Sequence, residues 1–167
     1  MIHARQMERA DIAAVLDIAA ASPEAASWGR EAYETLLANP LGSCWVAEQQ
    51  GRVAGFICFR VLKSEAELLN LAVMPEFRRQ RVGAGLLEVA LHKAAEAGAA
   101  KMFLEVRESN AAALRLYEGF GFSRCGRREG YYANPPADAL ILVRDLKGLT
   151  EEGRRPCTEH ASDRTSD

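Results

Sequence analysis

Residues 68–86 constrain the fold of this chain more than any other segment. An apolar strand, Leu68 to Val73, is stopped by Pro75, and a turn rich in arginine and glycine leads into an amphipathic helix expected to begin at Leu86. A strand that enters a helix through such a turn brings free backbone N–H groups together at the helix N-terminus. These groups and the positive end of the helix dipole attract phosphate. The segment therefore predicts a bound phosphorylated ligand.

The turn itself, Gln80-Arg81-Val82-Gly83-Ala84-Gly85, excludes two common phosphate sites. It lacks the Gly-Lys-Ser/Thr of a nucleoside triphosphate loop, and it lacks the Gly-x-Gly-x-x-Gly spacing of a dinucleotide site. Taken alone, Gln-x-x-Gly-x-Gly is a weak pattern. A helix start that needs flexible residues explains it about equally well.

Composition and charge exclude further classes of function. The chain has 167 residues, of which 49% are hydrophobic, and a net charge of -2, which opposes a general nucleic-acid binder. Its four cysteines contain no Cys-x-x-Cys pair and its three histidines are scattered, so no metal site is expected. No signal-peptide core and no membrane-spanning apolar run are visible, which predicts a cytoplasmic protein without a membrane partner. The oligomeric state is not readable.

Hydrophobic periodicity predicts an α/β fold. Strands are predicted at about 2–7, 43–49, 52–62, 65–73, 101–106, 122–127 and 139–145, and helices at about 11–21, 30–38, 86–97 and 110–118, the last capped by Ser109. The strand at 101–106 follows a crossover helix and should lie parallel to its neighbour. This order predicts one domain over residues 1–147, with a mixed sheet and helices on both faces. The polar residues 148–167 are predicted to form a disordered tail.

The glycine turn and the strand before it, Leu69-Asn70-Leu71-Ala72-Val73-Met74-Pro75, resemble the acetyl-CoA signature of the GCN5-related N-acetyltransferases. In that family the pattern is Gln or Arg-x-x-Gly-x-Gly or Ala, and its amides hold the pyrophosphate of coenzyme A. The segments Phe103 to Asn110, Ala111 to Phe122 and Arg127 to Tyr132 are similar to the ribosomal-protein alanine N-acetyltransferases within it. Arg81 stands where that subgroup often has glycine, and Gly130 where it often has asparagine.

The resemblance implies a mostly antiparallel central sheet with one splayed parallel strand pair, acetyl-CoA as cosubstrate and no metal. The acceptor it implies is a protein N-terminus, the alanine of a small-subunit ribosomal protein, bound by Tyr131 and Tyr132. An amide near Val73 would stabilise the oxyanion. The cofactor-binding residues it implies are Leu71, Ala72, Val73, Arg79, Gln80, Arg81, Val82, Gly83, Ala84, Gly85 and Asn110.

Acetyl transfer from a thioester to an amine needs a general base, an oxyanion donor and an acid for the departing thiolate. Glu105 shares a strand face with Phe103, where an arginine-paired or edge-exposed glutamate would also fit. The resemblance implies that Glu105 is the base, acting through a water, and that Tyr117 is the acid. Core packing is the alternative for Tyr117, and helix capping for Asn110. Tyr131 and Tyr132 are predicted to lie in the loop before the last strand, and adjacent tyrosines in a loop are more often packing residues.

The acceptor remains open at the level of the sequence. An α-amino group has a pKa near 7.7–8.0, against about 10.4 for lysine, so a carboxylate base suits an N-terminal acceptor better. A lysine side chain or a small-molecule amine is the alternative acceptor. A non-catalytic acetyl-CoA-binding module is a further alternative, and the presence of Glu105 and Tyr117 opposes it.

Overall fold

The computed structural model of this chain describes residues 2–149 and contains one seven-stranded sheet flanked by four α-helices. The spatial order of the strands is β1-β2-β3-β4-β5-β7-β6, and β4 and β5 form the parallel pair among antiparallel neighbours. The predicted α/β fold, with a mixed sheet and helices on both faces, is confirmed. The elements are β1 (His3–Gln6), α1 (Ile12–Ala20), α2 (Arg30–Ala38), β2 (Gly42–Gln49), β3 (Arg52–Leu62), β4 (Glu65–Val73), α3 (Val82–Glu96), β5 (Lys101–Arg107), α4 (Ala111–Gly119), β6 (Ser123–Ala133) and β7 (Pro136–Asp145), with 3₁₀ turns at Arg9–Asp11 and Pro75–Phe77.

Each face of the sheet has its own hydrophobic core. On one face, Leu86, Ala90 and Leu91 repeat at helical spacing along α3 and are buried, and α4 packs beside them through Tyr117. On the other face, α1 and α2 cover the sheet with a second cluster that includes Ile12 and Tyr33. Helices α1, α2 and α3 cover strands β2 to β4 from the two faces, and beyond β4 these strands lead to a break in strand pairing.

Such a break lies between β4 and β5. The two strands pair only where they begin, from Glu65 opposite Lys101 to Glu67 opposite Phe103. Beyond these positions β4 continues to Val73 and β5 to Arg107 without pairing to each other. This is the splayed parallel pair that the resemblance implies, and it opens a gap at the C-terminal ends of the two strands.

A β-bulge in β4 accompanies the divergence. Leu68 lies opposite Phe59 of β3 and Asn70 lies opposite Cys58, so Leu69 is the extra residue. The bulge reverses the alternation of faces, because Leu68 packs in the α3 core whereas Ala72 packs in the core under α1 and α2. Strict period-2 alternation through β4 is therefore broken at the position where the gap begins.

Several boundaries differ from the sequence prediction, most of them by a single residue. Helix α3 begins at Val82, four residues before the predicted Leu86, because the side chain of Val82 is buried and its first turn runs through the small residues that follow. The prediction that Ser109 caps α4 is wrong, since Asn110 is the N-cap and its Oδ1 accepts from the N–H of Ala113 at 3.1 Å.

The last hairpin is also longer than predicted, because β6 and β7 keep pairing as far as Ala133 and Pro136. Tyr131 and Tyr132 consequently lie on β6 and not in a loop before the last strand. Two register shifts interrupt this pair, the second between Arg128 and Tyr132, and Gly130 adopts a left-handed φ of 61° there. Asparagine and glycine are the residues that best tolerate this conformation, which explains why either one serves at position 130.

After β7 the chain contributes Leu146, which is buried, and Leu149, which packs against the α3 core. The rest of the predicted polar tail, residues 150–167, lies outside the described residues. Within residues 2–149 no helix has the length and apolarity needed to cross a membrane. The same residues contain no group of three or more His, Cys, Asp or Glu side chains placed to hold a metal ion.

Candidate active site

The wall of the gap formed by β4 presents backbone groups that pair with no strand. The N–H of Met74 donates to the carbonyl of Ala54 at 2.8 Å and so points towards β3. Because successive residues of a strand point their N–H groups to opposite sides, the N–H groups of Val73 and Leu71 point into the gap. The carbonyl of Val73 accepts from Nε of Arg78 at 3.4 Å. An edge of this kind can pair with an extended amide-bearing ligand and can donate to a developing oxyanion.

The N-terminus of α3 lies against the end of this wall. A methyl group added at Gly83 would lie 3.6 Å from Cγ2 of Val73 and 3.7 Å from Cδ2 of Leu116 in α4. The amides of Val82, Gly83 and Ala84 belong to the first helical turn, where no intrahelical acceptor is available. Free N–H donors and the positive helix end therefore converge beside the gap, and this arrangement suits a diphosphate.

Gly85 differs from the residues before it. Its N–H donates to the carbonyl of Arg81 at 3.0 Å, so this amide is already used by the helix. A β-carbon at Gly85 would collide with Cδ1 of Ile2. The close approach of the chain before β1 to α3 accounts for a glycine here without reference to a ligand.

The turn before α3, residues 78–81, is hereafter called the cofactor turn, after the role that the sequence predicts for it. Arg79 and Arg81 in it adopt left-handed φ values of 60° and 64°, which non-glycine residues rarely do. This conformation explains why a glycine is common at position 81 in the subgroup that the sequence resembles. The side chain of Gln80 is held by two hydrogen bonds, to Gln49 and to the carbonyl of Glu76, so the side chain is occupied within the protein.

On the opposite wall, Glu105 of β5 faces a cluster from β6. Its Oε1 lies 2.7 Å from Nε of Arg128, and 26% of its side chain is exposed. The nearby carboxylate of Glu105 is the main cause that raises the pKa of Tyr131 above its ordinary value. The guanidinium of Arg128 also lies over the ring of Tyr131, 5.7 Å from its centroid. Glu105 is thus an arginine-paired carboxylate with access to water.

Tyr117 is placed on the other side, in the core under α4. Its ring packs edge-on against Phe122 at a centroid distance of 5.7 Å, and 7% of the residue is exposed. Burial raises the pKa of Tyr117 far above its ordinary value. The phenol therefore keeps its proton at neutral pH and can act as a donor.

Tyr132 connects the two candidate catalytic residues. Burial, and after it the nearby Tyr131 and Glu105, raise the pKa of Tyr132, while Arg107 opposes this shift. The guanidinium of Arg107 stacks over the Tyr132 ring at 4.3 Å, and Tyr132 lies near enough to Tyr117 to influence its pKa. The structure thus brings the tyrosine pair and Glu105 together at one mouth of the gap.

Comparison with known proteins identifies the family. The chain matches the description of the Acetyltransferase (GNAT) family over residues 12–122. It belongs to that family. A provisionally named ribosomal protein bS18-alanine N-acetyltransferase from Bacillus subtilis is 36% identical over 139 residues, which cover 83% of this chain and 91% of that protein. The ribosomal protein bS18-alanine N-acetyltransferase of Escherichia coli is 42% identical over 97 residues, covering 57% of this chain and 66% of that protein.

Solved structures show the same fold. The crystal structure of the ribosomal-protein-S18-alanine N-acetyltransferase from Escherichia coli superposes with a TM-score of 0.78 at 31% identity, covering 87% of this chain and 94% of that chain. NAA60 from Arabidopsis thaliana, crystallised with acetyl-CoA, has a TM-score of 0.79 at 16% identity and covers 89% of this chain and all of that chain. The second likeness shows the fold alone. The GNAT family uses acetyl-CoA, and this chain is an N-acetyltransferase by family.

Sequence reasoning missed the residues that surround the predicted GNAT site. Arg128 lies within a segment used for the resemblance, but its contact with Glu105 depends on the register shifts of β6 and has no local signal. Gln49 was also missed, because the strand-end position says nothing about its contact with Gln80, 31 positions later in the chain. Asn110 acts as a helix cap, and a contact of its side chain with the cofactor stays a prediction.

Proposed function

We propose that this GNAT enzyme transfers the acetyl group of acetyl-CoA to the α-amine of a protein N-terminus, the alanine of a small-subunit ribosomal protein. One observation carries the proposal. The free amides at the N-terminus of α3 and the unpaired edge of β4 meet beside a gap whose other wall carries Glu105. A diphosphate site, an edge for an extended arm and a carboxylate are thereby arranged along one path.

The donor occupies the α3 side of the gap in this proposal. The pyrophosphate of acetyl-CoA is held by the amides of the cofactor turn and of Val82, Gly83 and Ala84, and the pantetheine arm runs along Leu71 and Val73. The backbone N–H groups of Leu71 and Val73 are directed into the gap and have no strand partner there. The N–H of Val73 then lies where it can stabilise the oxyanion of the tetrahedral intermediate.

The proton steps fall to Glu105 and Tyr117. Glu105 takes the proton of the attacking ammonium through a water, which its partial exposure permits. Tyr117 gives its proton to the sulfur as the carbon–sulfur bond breaks, and the buried phenol is protonated before that step. The acceptor enters from the mouth formed by Tyr131 and Tyr132, where Arg128 has to yield part of its contact with Glu105.

The α-amine is proposed as acceptor on two grounds. The relatives from Bacillus subtilis and Escherichia coli are named for alanine acetylation of ribosomal protein bS18. An α-ammonium also loses its proton more readily than a lysine ammonium, so a carboxylate base is sufficient for it.

A peptide assay separates the possible acceptors. The purified protein is incubated with acetyl-CoA and a peptide that begins with alanine, or with the same peptide carrying a blocked N-terminus and a free lysine, and products are counted by intact mass. We expect acetylation of the first peptide at a rate at least about tenfold higher than the second. Equal rates would show a lysine acetyltransferase, and no product from either peptide together with acetyl-CoA binding would indicate a binding module or a small-molecule acceptor.

A further inference from the structure

We propose that Gln49 and Arg52, on either side of the β2–β3 turn, are positioning residues that hold the cofactor turn in its binding conformation before acetyl-CoA arrives. The inference rests on the proposed function, because it takes the cofactor turn to bind the pyrophosphate. Neither residue belongs to the signature that identifies the family. Together with Glu76 and Gln80 they form a connected group, hereafter called the brace.

The conformation of the cofactor turn needs support from outside. Arg79 and Arg81 both have a left-handed φ, and Gln80 stands between them. A β-carbon makes this conformation unfavourable, so two such residues so close together persist only where the surroundings over-determine them. Arg79, Gln80 and Arg81 are all exposed, and among the described residues Gln80 is the one of the three whose side chain makes hydrogen bonds to the rest of the protein. Arg78 connects the start of the turn to the carbonyl of Val73 and to Oγ of Ser22.

Gln80 is held from both ends of its amide. Its Nε2 donates to the carbonyl of Glu76 at 3.1 Å, and its Oε1 accepts from Nε2 of Gln49 at 2.6 Å. The backbone carbonyl can only accept, and this determines the orientation of both amides. Oε1 of Gln49 is then left buried without a partner among the described residues. The side chain of Gln80 therefore connects the turn both to Glu76, which precedes it, and to the end of β2.

Arg52 holds the residues just before the turn. Its guanidinium makes a two-point contact with the carboxylate of Glu76, at 2.9 and 3.2 Å, and lies over the ring of Phe77 at 5.4 Å. Phe77 is 3% exposed and belongs to the α3 core. A single exposed ion pair contributes little, but a two-point contact above a buried ring fixes a direction as well as a distance.

Preorganisation of the turn should appear in the affinity for the donor alone. Acetyl-CoA binds only the fraction of molecules in which the turn has its binding conformation, and the apparent dissociation constant rises as that fraction falls. Once the donor is bound, the turn is held by the ligand as well. The turnover number at saturating acetyl-CoA and the KM of the acceptor therefore stay unchanged when the brace is weakened.

The test uses Gln49→Met, which keeps the side-chain length and removes both hydrogen-bonding atoms. Gln6→Met on the neighbouring strand β1, where the residue is exposed, is its control. We expect Gln49→Met to raise the dissociation constant of coenzyme A by about threefold to tenfold, the range for losing one hydrogen bond. Hydrogen exchange of the ligand-free protein should become faster in residues 78–84 in this variant and not in the control.

Arg52→Met provides a second variant whose side chain is exposed, so loss of folding is not expected. Arg60→Met is matched to it, because Arg52 and Arg60 lie on the same strand, each pairs with a glutamate and each side chain is 52% exposed. The same direction of change is expected for Arg52→Met, with Arg60→Met unchanged in coenzyme A affinity.

Three outcomes decide the inference. Wild-type affinity and wild-type exchange in both brace variants would overturn it. Faster exchange throughout the sheet with a lower turnover number would show a merely structural role and would also overturn it. If the wild-type protein bound no coenzyme A, the proposed function would fail, whereas the exchange of residues 78–84 would still decide whether the brace holds the turn.

Discussion

At the scale of single residues, the two candidate catalytic groups lie in different environments. Glu105 is partly exposed and paired with the cation of Arg128, so it remains close to water. Tyr117 is enclosed beside Phe122, and its burial favours the neutral phenol. A carboxyl group next to solvent and a phenol enclosed in the core are suited to amine deprotonation and thiolate protonation.

Tyr117→Phe tests the acid. The change removes one hydroxyl from a buried ring, so we expect turnover to fall at least about tenfold while coenzyme A binding is retained. Because the pKa of Tyr117 is raised, the wild-type rate should not decline through this group between pH 8 and 10. Tyr33→Phe, in the core of the other face, is the control with unchanged turnover. A Tyr117→Phe variant as fast as the wild type would exclude Tyr117 as the acid.

At the scale of elements, most of the sheet could be predicted. The burial of one face of a strand or helix leaves a periodic pattern of hydrophobic residues in the sequence of that segment alone. Helix α2 and strands β3 and β4 agree with their predictions to the residue. The bulge at Leu69 could not be predicted, since it is determined by the pairing of β4 with β3.

The site could be predicted in part for the same reason. The cofactor turn and strand β5 carry local patterns, but the contact of Glu105 with Arg128 arises between strands that are distant in the sequence. The length of β6 was missed because Gly130 and Asn134-Pro135 are typical of loops, whereas here the pairing continues on both sides of Gly130.

The N-terminus of α3 permits a matched comparison at position 81. Arg81→Gly and Arg81→Ala remove the same side chain, but only alanine keeps a β-carbon at the left-handed φ of 64°. We expect the glycine variant to exceed the alanine variant in free energy of unfolding by about 0.5–1 kcal/mol, the cost of the left-handed conformation less the chain entropy of glycine. Denaturant titration measures the difference. If Arg81→Ala were as stable as Arg81→Gly or more stable, the backbone at position 81 would not be strained.

At the scale of the whole molecule, buried phenols limit stability at high pH. Burial raises the pKa of Tyr33 to about 12, above the value near 10 expected in the unfolded chain. Below pH 10 both states hold the proton, and above it the unfolded state loses the proton first. Since the unfolded state then binds fewer protons, the free energy of unfolding falls as pH rises from 10 towards 12.

Tyr33→Phe should flatten this dependence. We expect its free energy of unfolding to decline less steeply above pH 10 than that of the wild type, by up to about 1.4 kcal/mol per pH unit. The loss of the hydrogen bond between Asn70 and the Tyr33 hydroxyl lowers stability at every pH and leaves the slope difference intact. Urea titrations at pH 9, 10 and 11 provide the measurement. If the free energy of unfolding fell equally steeply with pH in the wild type and in Tyr33→Phe, the raised pKa of Tyr33 would be contradicted.

In the proposed mechanism the sheet as a whole brings donor and acceptor to the two sides of one gap, and the transfer of the acetyl group depends on Glu105. The most direct measurement is the single-turnover rate on a peptide that begins with alanine, for the wild type, for Glu105→Gln and for Glu65→Gln. Glu65 is exposed at the paired end of β4 and serves as the control. We predict a rate at least about tenfold lower for Glu105→Gln, with coenzyme A binding retained, and an unchanged rate for Glu65→Gln. A Glu105→Gln enzyme that acetylates the peptide at the wild-type rate would contradict the central claim.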